Sequence, residues 1–205
     1  MNEKFYHLPQ EKQLLIINAA YKVFARNSYK KAGTSEIAAE GGISKALLFH
    51  YFHNKLALYL FLWDKAQDLT KEAKEQYKVY ETNDFFEMLR RGLSAKCMLM
   101  RKYPYMSLFT MNAYYENEPE IHEAIGKKVK SGADDAYQTI AEKINRDSLR
   151  GDVTFESIYS EVLFASEGMM NQWYRAGNRD IDTFENQYRR MIEHWEQVYN
   201  RKDQP

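Results

Sequence analysis

Cysteine occurs once in this chain, at position 97, so no disulfide framework can hold a single copy together and the fold must come from packing. Proline and glycine are also scarce, 4 and 9 in 205 residues, and the long stretches between them repeat apolar residues every three or four positions. That punctuation fits helices almost throughout, and the fold class expected is all-α. No long uncharged run and no N-terminal apolar segment is present, so neither membrane insertion nor export is expected and the cytoplasm is the expected compartment. Missing too are a glycine-rich phosphate loop, a His-Glu-x-x-His metal pair and any Cys-His or Ser-His grouping that the sequence can place together. An enzyme reading is therefore left without a reaction centre. No cofactor or metal is expected either: His50 and His53 form a lone pair without a further ligand set.

What is present is a balanced globular composition, 44% hydrophobic and 28% charged, with a formal net charge of zero. The balance hides an asymmetry. Residues 1–60 carry seven Lys and one Arg against four Glu, a net of +4, which leaves −4 for the remainder. A basic end on an acidic body suits a protein that presents one end to phosphates, although charges of this size also occur on ordinary solvated surfaces.

The first helix is expected from about Pro9 to Arg26–Ser28, with Leu14, Ile17, Tyr21 and Phe24 on one face. Thr34 or Ser35 can cap a short second helix that stops at Gly41-Gly42. Ser44 can then cap a third from Lys45 to about Phe52. Two short helices joined by a glycine turn make a helix-turn-helix. Longer helices should follow: Lys55 to about Tyr80, one opening at Asn83 or Asp84 and stopping before Pro104, and one opened by Pro104. The next carries Ile121, Ile125, Val129, Ala133, Ala136, Ile140 and Ile144. The last two run from Thr154 to Gly177 and from Asp182 to about Asn200. The division expected is a three-helix domain with a helix-turn-helix at 1–54 and a helical bundle for ligand binding and dimerisation at 55–205.

The order Phe24, Tyr29, Thr34-Ser35-Glu36-Ile37-Ala38, Ile43-Ser44-Lys45, Phe49-His50-Tyr51-Phe52 and Lys55 resembles the N-terminal domain of TetR-type regulators over roughly residues 10–60. The chain departs from the family pattern at Ala46, where Gly is usual, and at Leu56, where an acidic residue is usual. It departs also in the run Leu48-Phe49-His50-Tyr51-Phe52, where Phe49 lacks a tyrosine hydroxyl.

The resemblance implies that the second helix of the motif enters the major groove with its N-terminal residues nearest the bases. Lys45 is then the first candidate to read a base edge or grip a phosphate. Ser44 can cap the helix and also touch DNA from its N-terminus, Thr34, His50, Tyr51 and Lys55 are candidate phosphate partners, and Ser35, Ala46 and Phe49 complete the candidate DNA-binding set. Leu47, Leu48 and Phe52 read as packing residues, with contact to a thymine methyl as the alternative for Leu47.

For the body, the family implies a small-molecule effector and a homodimer formed by the last two helices, with a palindromic double-stranded DNA operator as partner and no membrane. Repression is the usual outcome. Trp63, Met100, Tyr103, Met106, Phe109, Tyr114, Tyr159, Met170 and Trp173 are candidates to line a pocket for a hydrophobic or aromatic effector, against the plainer reading of core packing. Met169, Met170, Trp173, Met191 and Trp195 are likewise open between dimer interface and intramolecular core. The rival function is a helical carrier of hydrophobic molecules that has the fold without operator binding.

Overall fold

The computed structural model describes residues 3–177 and 180–201, with the side chains of 127–135 left outside the description, so the periodic positions Val129 and Ala133 lie outside the described residues. Among the described residues the regular elements are helical: α1 (Gln10–Arg26), α2 (Thr34–Glu40), α3 (Lys45–Phe52), α4 (Lys55–Gln76), α5 (Phe85–Lys102), α6 (Met106–Tyr114), α7 (Pro119–Lys143), α8 (Phe155–Arg175) and α9 (Ile181–Tyr199). Short 3-10 turns at Glu3–Phe5 and Arg146–Ser148 and an isolated bridge between Leu149 and Asn200 complete them. Among the described residues no helix is long and apolar enough to cross a membrane.

Helix ends follow from local chemistry, and they differ from expectation where that chemistry is unusual. Helix α4 stops at Gln76, a turn short of Tyr80. There Lys78 takes φ 53° while the Val79 N–H reaches the Lys74 carbonyl at 2.9 Å and the Lys78 N–H reaches that of Glu75 at 3.0 Å. This is a Schellman closure without the glycine that usually announces one. Helix α2 starts at Thr34 behind Gly33 with no side-chain cap, so neither Thr34 nor Ser35 performs the expected capping. Helix α6 opens at Met106, two residues after Pro104, and α9 opens at Ile181 under the Asp180 carboxylate, which accepts from the Asp182 and Thr183 N–H groups. Thr154 does cap α8, through the Ser157 N–H.

The chain forms two compact units, one of Met1–Leu69 with Met100–Gly132 and one of Thr70–Leu99 with Ala133–Pro205. In the first, α1 packs mainly on α6 and α2. Its core is aromatic: the Phe109 ring lies 4.8 Å from Tyr59, 5.2 Å from Tyr21 and 6.2 Å from Phe24. The Tyr21 hydroxyl donates to the Leu62 carbonyl at 2.8 Å, and burial pushes that phenol well above its ordinary pKa. Two asparagines tie α1 to the α6 region. Asn112 donates to the Ala25 carbonyl at 2.8 Å and Asn18 to the Lys102 carbonyl at 3.1 Å.

In the second unit α8 packs on α9, with the Trp173 ring 5.4 Å from Phe184 and Tyr188 6.2 Å from Trp195. Glu161 on α8 accepts from the Trp195 indole at 3.1 Å and from the Tyr199 hydroxyl. Arg90 on α5 pairs with Glu196 on α9.

Candidate nucleic-acid interface

The turn between α2 and α3 is built from backbone hydrogen bonds. Gly42 takes φ +62°, the Ile43 N–H reaches the Ala38 carbonyl at 3.0 Å and the Gly42 N–H that of Ala39 at 3.1 Å. Gly41 answers a different need. A Cβ there would stand 3.4 Å from the Ile16 Cα, so its absence lets α1 approach the turn closely. From α1, Lys12 donates to the carbonyls of Gly41 at 3.2 Å and Gly42 at 2.9 Å, placing a cation where the dipole of α2 is negative. Lys22 pairs with Glu40 at 2.7 Å, a second tie from α1 to the end of α2.

Ser44 then opens α3, its Oγ accepting the Leu47 N–H at 3.1 Å as expected from the sequence. Ser44→Ala should lower the unfolding free energy by about 1 kcal/mol, the usual worth of such a cap, as read by chemical denaturation of the whole chain.

Helix α3 is divided lengthwise. Leu48, Tyr51 and Phe52 are buried, while Lys45, Ala46 and His50 are exposed and Phe49 is half-buried between them. The exposed set recurs at the spacing of one helical face, and the Lys45 ammonium lies 5.8 Å from the Phe49 ring. The structure therefore brings Lys45, Ala46, Phe49 and His50 together on one solvent-facing strip, with exposed Ser44 at its start.

Tyr51 sits apart from that strip. Its ring is buried edge-on to Phe5, 5.7 Å away, and to Phe52. Phe5, wholly covered, was not visible as part of this domain in the sequence; it comes from the 3-10 turn ahead of α1 and also meets Phe52 and Phe61. Ser35 is exposed and Thr34 half-buried at the start of α2.

Lys55 has local partners. It donates to the Lys30 carbonyl at 3.3 Å and lies 4.7 Å over the Tyr29 ring. Burial lowers its pKa, while Glu118 and Glu120 pull the other way. A phosphate would have to compete with these contacts. Between α3 and α4, His53 takes φ 64° and ψ −54° so that the Asn54 N–H meets the Phe52 carbonyl at 2.7 Å, and the Asn54 side chain then caps α4 through the Ala57 N–H.

The pocket candidates separate by burial. Trp63, Met100, Tyr103, Met106 and Phe109 are buried in the first unit, where Phe109 has no exposed surface and serves as core. Tyr114 is 53% exposed beside Tyr115 and lies on the surface, not in an interior lining, because it follows Ala113 on the outer side of α6. In the second unit Tyr159 is half-buried and Met170 and Trp173 are buried. The buried Trp173 indole N–H finds no acceptor among the described residues. A cleft of about 400 Å³ bordered by Arg150, Gln197, Val198 and Asn200 includes none of these candidates.

Met170, Trp173 and Trp195, read as open between interface and core, are buried within their own unit and belong to its core. The apolar surface of α8 lies elsewhere, at Leu163 and Phe164, 50% and 69% exposed.

A capped second helix held by a glycine turn, with one face buried and the other open to solvent and opening on Lys45, defines a helix-turn-helix protein. Residues 16–61 match the family described as bacterial regulatory proteins, tetR family. The chain is 30% identical over 152 residues to the HTH-type transcriptional activator FasR of Mycolicibacterium smegmatis, a match that takes in 72% of this chain and 65% of FasR's own length. Among solved structures, a TetR family transcriptional regulator from Chloroflexus aurantiacus superposes with a TM-score of 0.64 at 21% identity, over 98% of this chain and 99% of that one. The transcriptional regulator FadR of Bacillus subtilis, solved in complex with stearoyl-CoA, gives 0.60 at 18% identity over 87% and 96%. Residues 16–61 thus match the tetR family of bacterial regulatory proteins, and the chain shares the fold of solved TetR family regulators.

Proposed function

We propose that this chain is a ligand-responsive transcription regulator that binds a palindromic DNA operator as a homodimer and is released from it by an apolar small molecule. One observation carries the DNA reading: the solvent-facing strip of α3, with Lys45, Ala46, Phe49 and His50 side by side behind the Ser44 cap. Eight residues of helix span about 12 Å, and the major groove is about as wide. In that placement Lys45 and the neighbouring strip meet base edges, and Thr34, Ser35, Ser44 and the α3 N-terminus meet phosphates. Tyr51 and Lys55 contribute from behind, by packing and by holding the loop that precedes α2.

The effector reading draws on the aromatic and methionine-rich body and on the stearoyl-CoA bound by FadR, which shares the fold. The dimer reading draws on Leu163 and Phe164, an apolar pair left uncovered on a helix that otherwise packs on α9. A functional boundary after Asn54 fits these assignments, with α4 leading from the DNA-binding helices into the body. Ligand acts by binding one arrangement of the dimer better than the other, which alters the separation of two α3 helices that must fit successive grooves roughly 34 Å apart.

Selection of bound duplexes from a random library with the purified protein tests the reading. A palindromic site should emerge; recovery of none at any salt sinks the regulator and leaves the carrier. On the recovered site, Lys45→Ala should weaken binding by about 1–3 kcal/mol if Lys45 reads a base, with base preference relaxed at that position. If Lys45 only neutralises a phosphate, the slope of log affinity against log salt should instead fall by about 1.

A further inference from the structure

The segment ahead of α1 lies outside the matched residues 16–61, yet it is built into the DNA-binding helices. It folds tightly on itself, with the Tyr6 N–H on the Glu3 carbonyl at 2.9 Å and the Leu8 N–H on that of Phe5 at 3.2 Å. Gln13 of α1 clasps it, the side-chain amide donating to the Tyr6 carbonyl at 3.2 Å and to the Leu8 carbonyl at 2.8 Å. One side chain is thereby held inward. Phe5 has no exposed surface, while its neighbours Lys4, Tyr6 and His7 are exposed.

The Phe5 ring lies 4.9 Å from Phe52 and 5.7 Å from Tyr51, both on the buried face of α3, and 5.9 Å from Phe61 on α4. Phe52 and Phe61 stand 5.3 Å apart. A ring from outside the motif thus closes a cluster that joins α3 to the helix after it. Eight residues make about two turns, too few for a helix to be stable by itself, so α3 takes its orientation from what its inner face meets. At its start the Gly42 turn and the Ser44 cap hold it; towards its end the rings of Phe5 and Phe61 do.

We propose that Phe5 is a positioning residue for DNA reading: from behind α3 it sets the orientation in which Lys45 and the rest of the solvent-facing strip meet base edges. This rests on the DNA-binding reading above and adds to it a determinant that the motif does not contain. Removing the ring leaves a void that Tyr51, Phe52 and Phe61 close by shifting, and α3 moves with the first two. Base-edge contacts require placement within about 0.5 Å, whereas attraction to phosphates is sequence-independent and forgiving of such shifts. Loss of Phe5 therefore costs selectivity before it costs attraction to DNA.

The test compares full-length variants on the selected operator and on a scrambled duplex of equal length, at one salt concentration. Phe5→Ala should bind the operator about tenfold more weakly while staying within about twofold of wild type on the scrambled duplex, so that the ratio of the two affinities falls. Phe5→Leu, which keeps an apolar plug, should restore most of the ratio. Unfolding cannot imitate this pattern, because a smaller folded fraction lowers both affinities by one factor. Gln13→Leu, which frees the segment without emptying the ring cluster, should lower the ratio in the same direction. It decides the matter if Phe5→Ala does not fold.

An unchanged ratio in folded Phe5→Ala, or in Gln13→Leu where Phe5→Ala does not fold, overturns the positioning role and leaves the DNA-binding reading standing. A loss shared equally by both duplexes marks a purely structural residue and overturns it too. Wild type that binds every duplex alike overturns the DNA-binding reading, and this proposal with it.

Discussion

Replacing Phe164 by glutamate should leave each chain folded, convert the proposed dimer to monomers and weaken operator binding by roughly 10²–10⁴-fold, the advantage that a linked second half-site supplies. Phe164 and Leu163 are 69% and 50% exposed on α8, so a substitution there removes no core contact and opens no cavity. A Cβ at Gly168, one turn beyond Phe164 on the same helix, would meet nothing within 4 Å, so a second helix can come close at that point. A two-fold interface sets the same patch against itself, and one charge per chain then becomes two like charges meeting at the axis. Light scattering after size exclusion reads the mass, and operator titration reads the affinity. A Phe164→Glu protein that stays dimeric would move the interface away from this face of α8.

Phe109→Ala should destabilise the first unit by about 3–5 kcal/mol, the usual range for emptying a large aromatic site in a core. Phe109 has no exposed surface and stands among Tyr21, Phe24 and Tyr59, which come from α1 and α4 while it comes from α6. The loss falls where three helices meet, and α1 is the helix that holds the end of α2 through Lys12 and Gly41. Chemical denaturation measures it; a cost under about 1 kcal/mol would mean that the site collapses freely and that Phe109 borders space, as a pocket residue would. Operator affinity of the folded fraction should fall less than stability does, because the rings that Phe109 meets come from α1 and α4 and not from the α3 strip.

Much of the helix-turn-helix was legible because its chemistry is local. Gly42 needs a positive φ and Ser44 needs only the N–H three residues on, and the start of α3 at Lys45 follows from these two, whereas its end at Phe52 is set by the φ of 64° at His53. The end of α4 was not legible, since Lys78 occupies a left-handed position that sequence patterns reserve for glycine or asparagine. Phe5 and Lys12 escaped for a different reason. Their partners, Tyr51 and Phe52 for one and the Gly41 and Gly42 carbonyls for the other, are distant in the chain, and no spacing rule links them.

Periodicity also could not sort the aromatics of the body. Phe109 and Tyr114 lie five residues apart on one short helix, yet one is sealed and the other faces solvent. In α8, Trp173 and Phe164 present the same contrast, and only burial shows which of them packs within the chain.

The single cysteine, Cys97, has a use as a probe. Cys97 has no exposed surface, so a thiol reagent reaches it only when the second unit opens. Its labelling rate is a built-in clock for that opening, readable without mutation. Because no other thiol competes, a reporter cysteine placed on an exposed position such as Ser35 can be modified selectively while the native one stays silent. The same chain thus offers one thiol that times the breathing of the body and room for another that measures how far apart two copies hold their recognition helices.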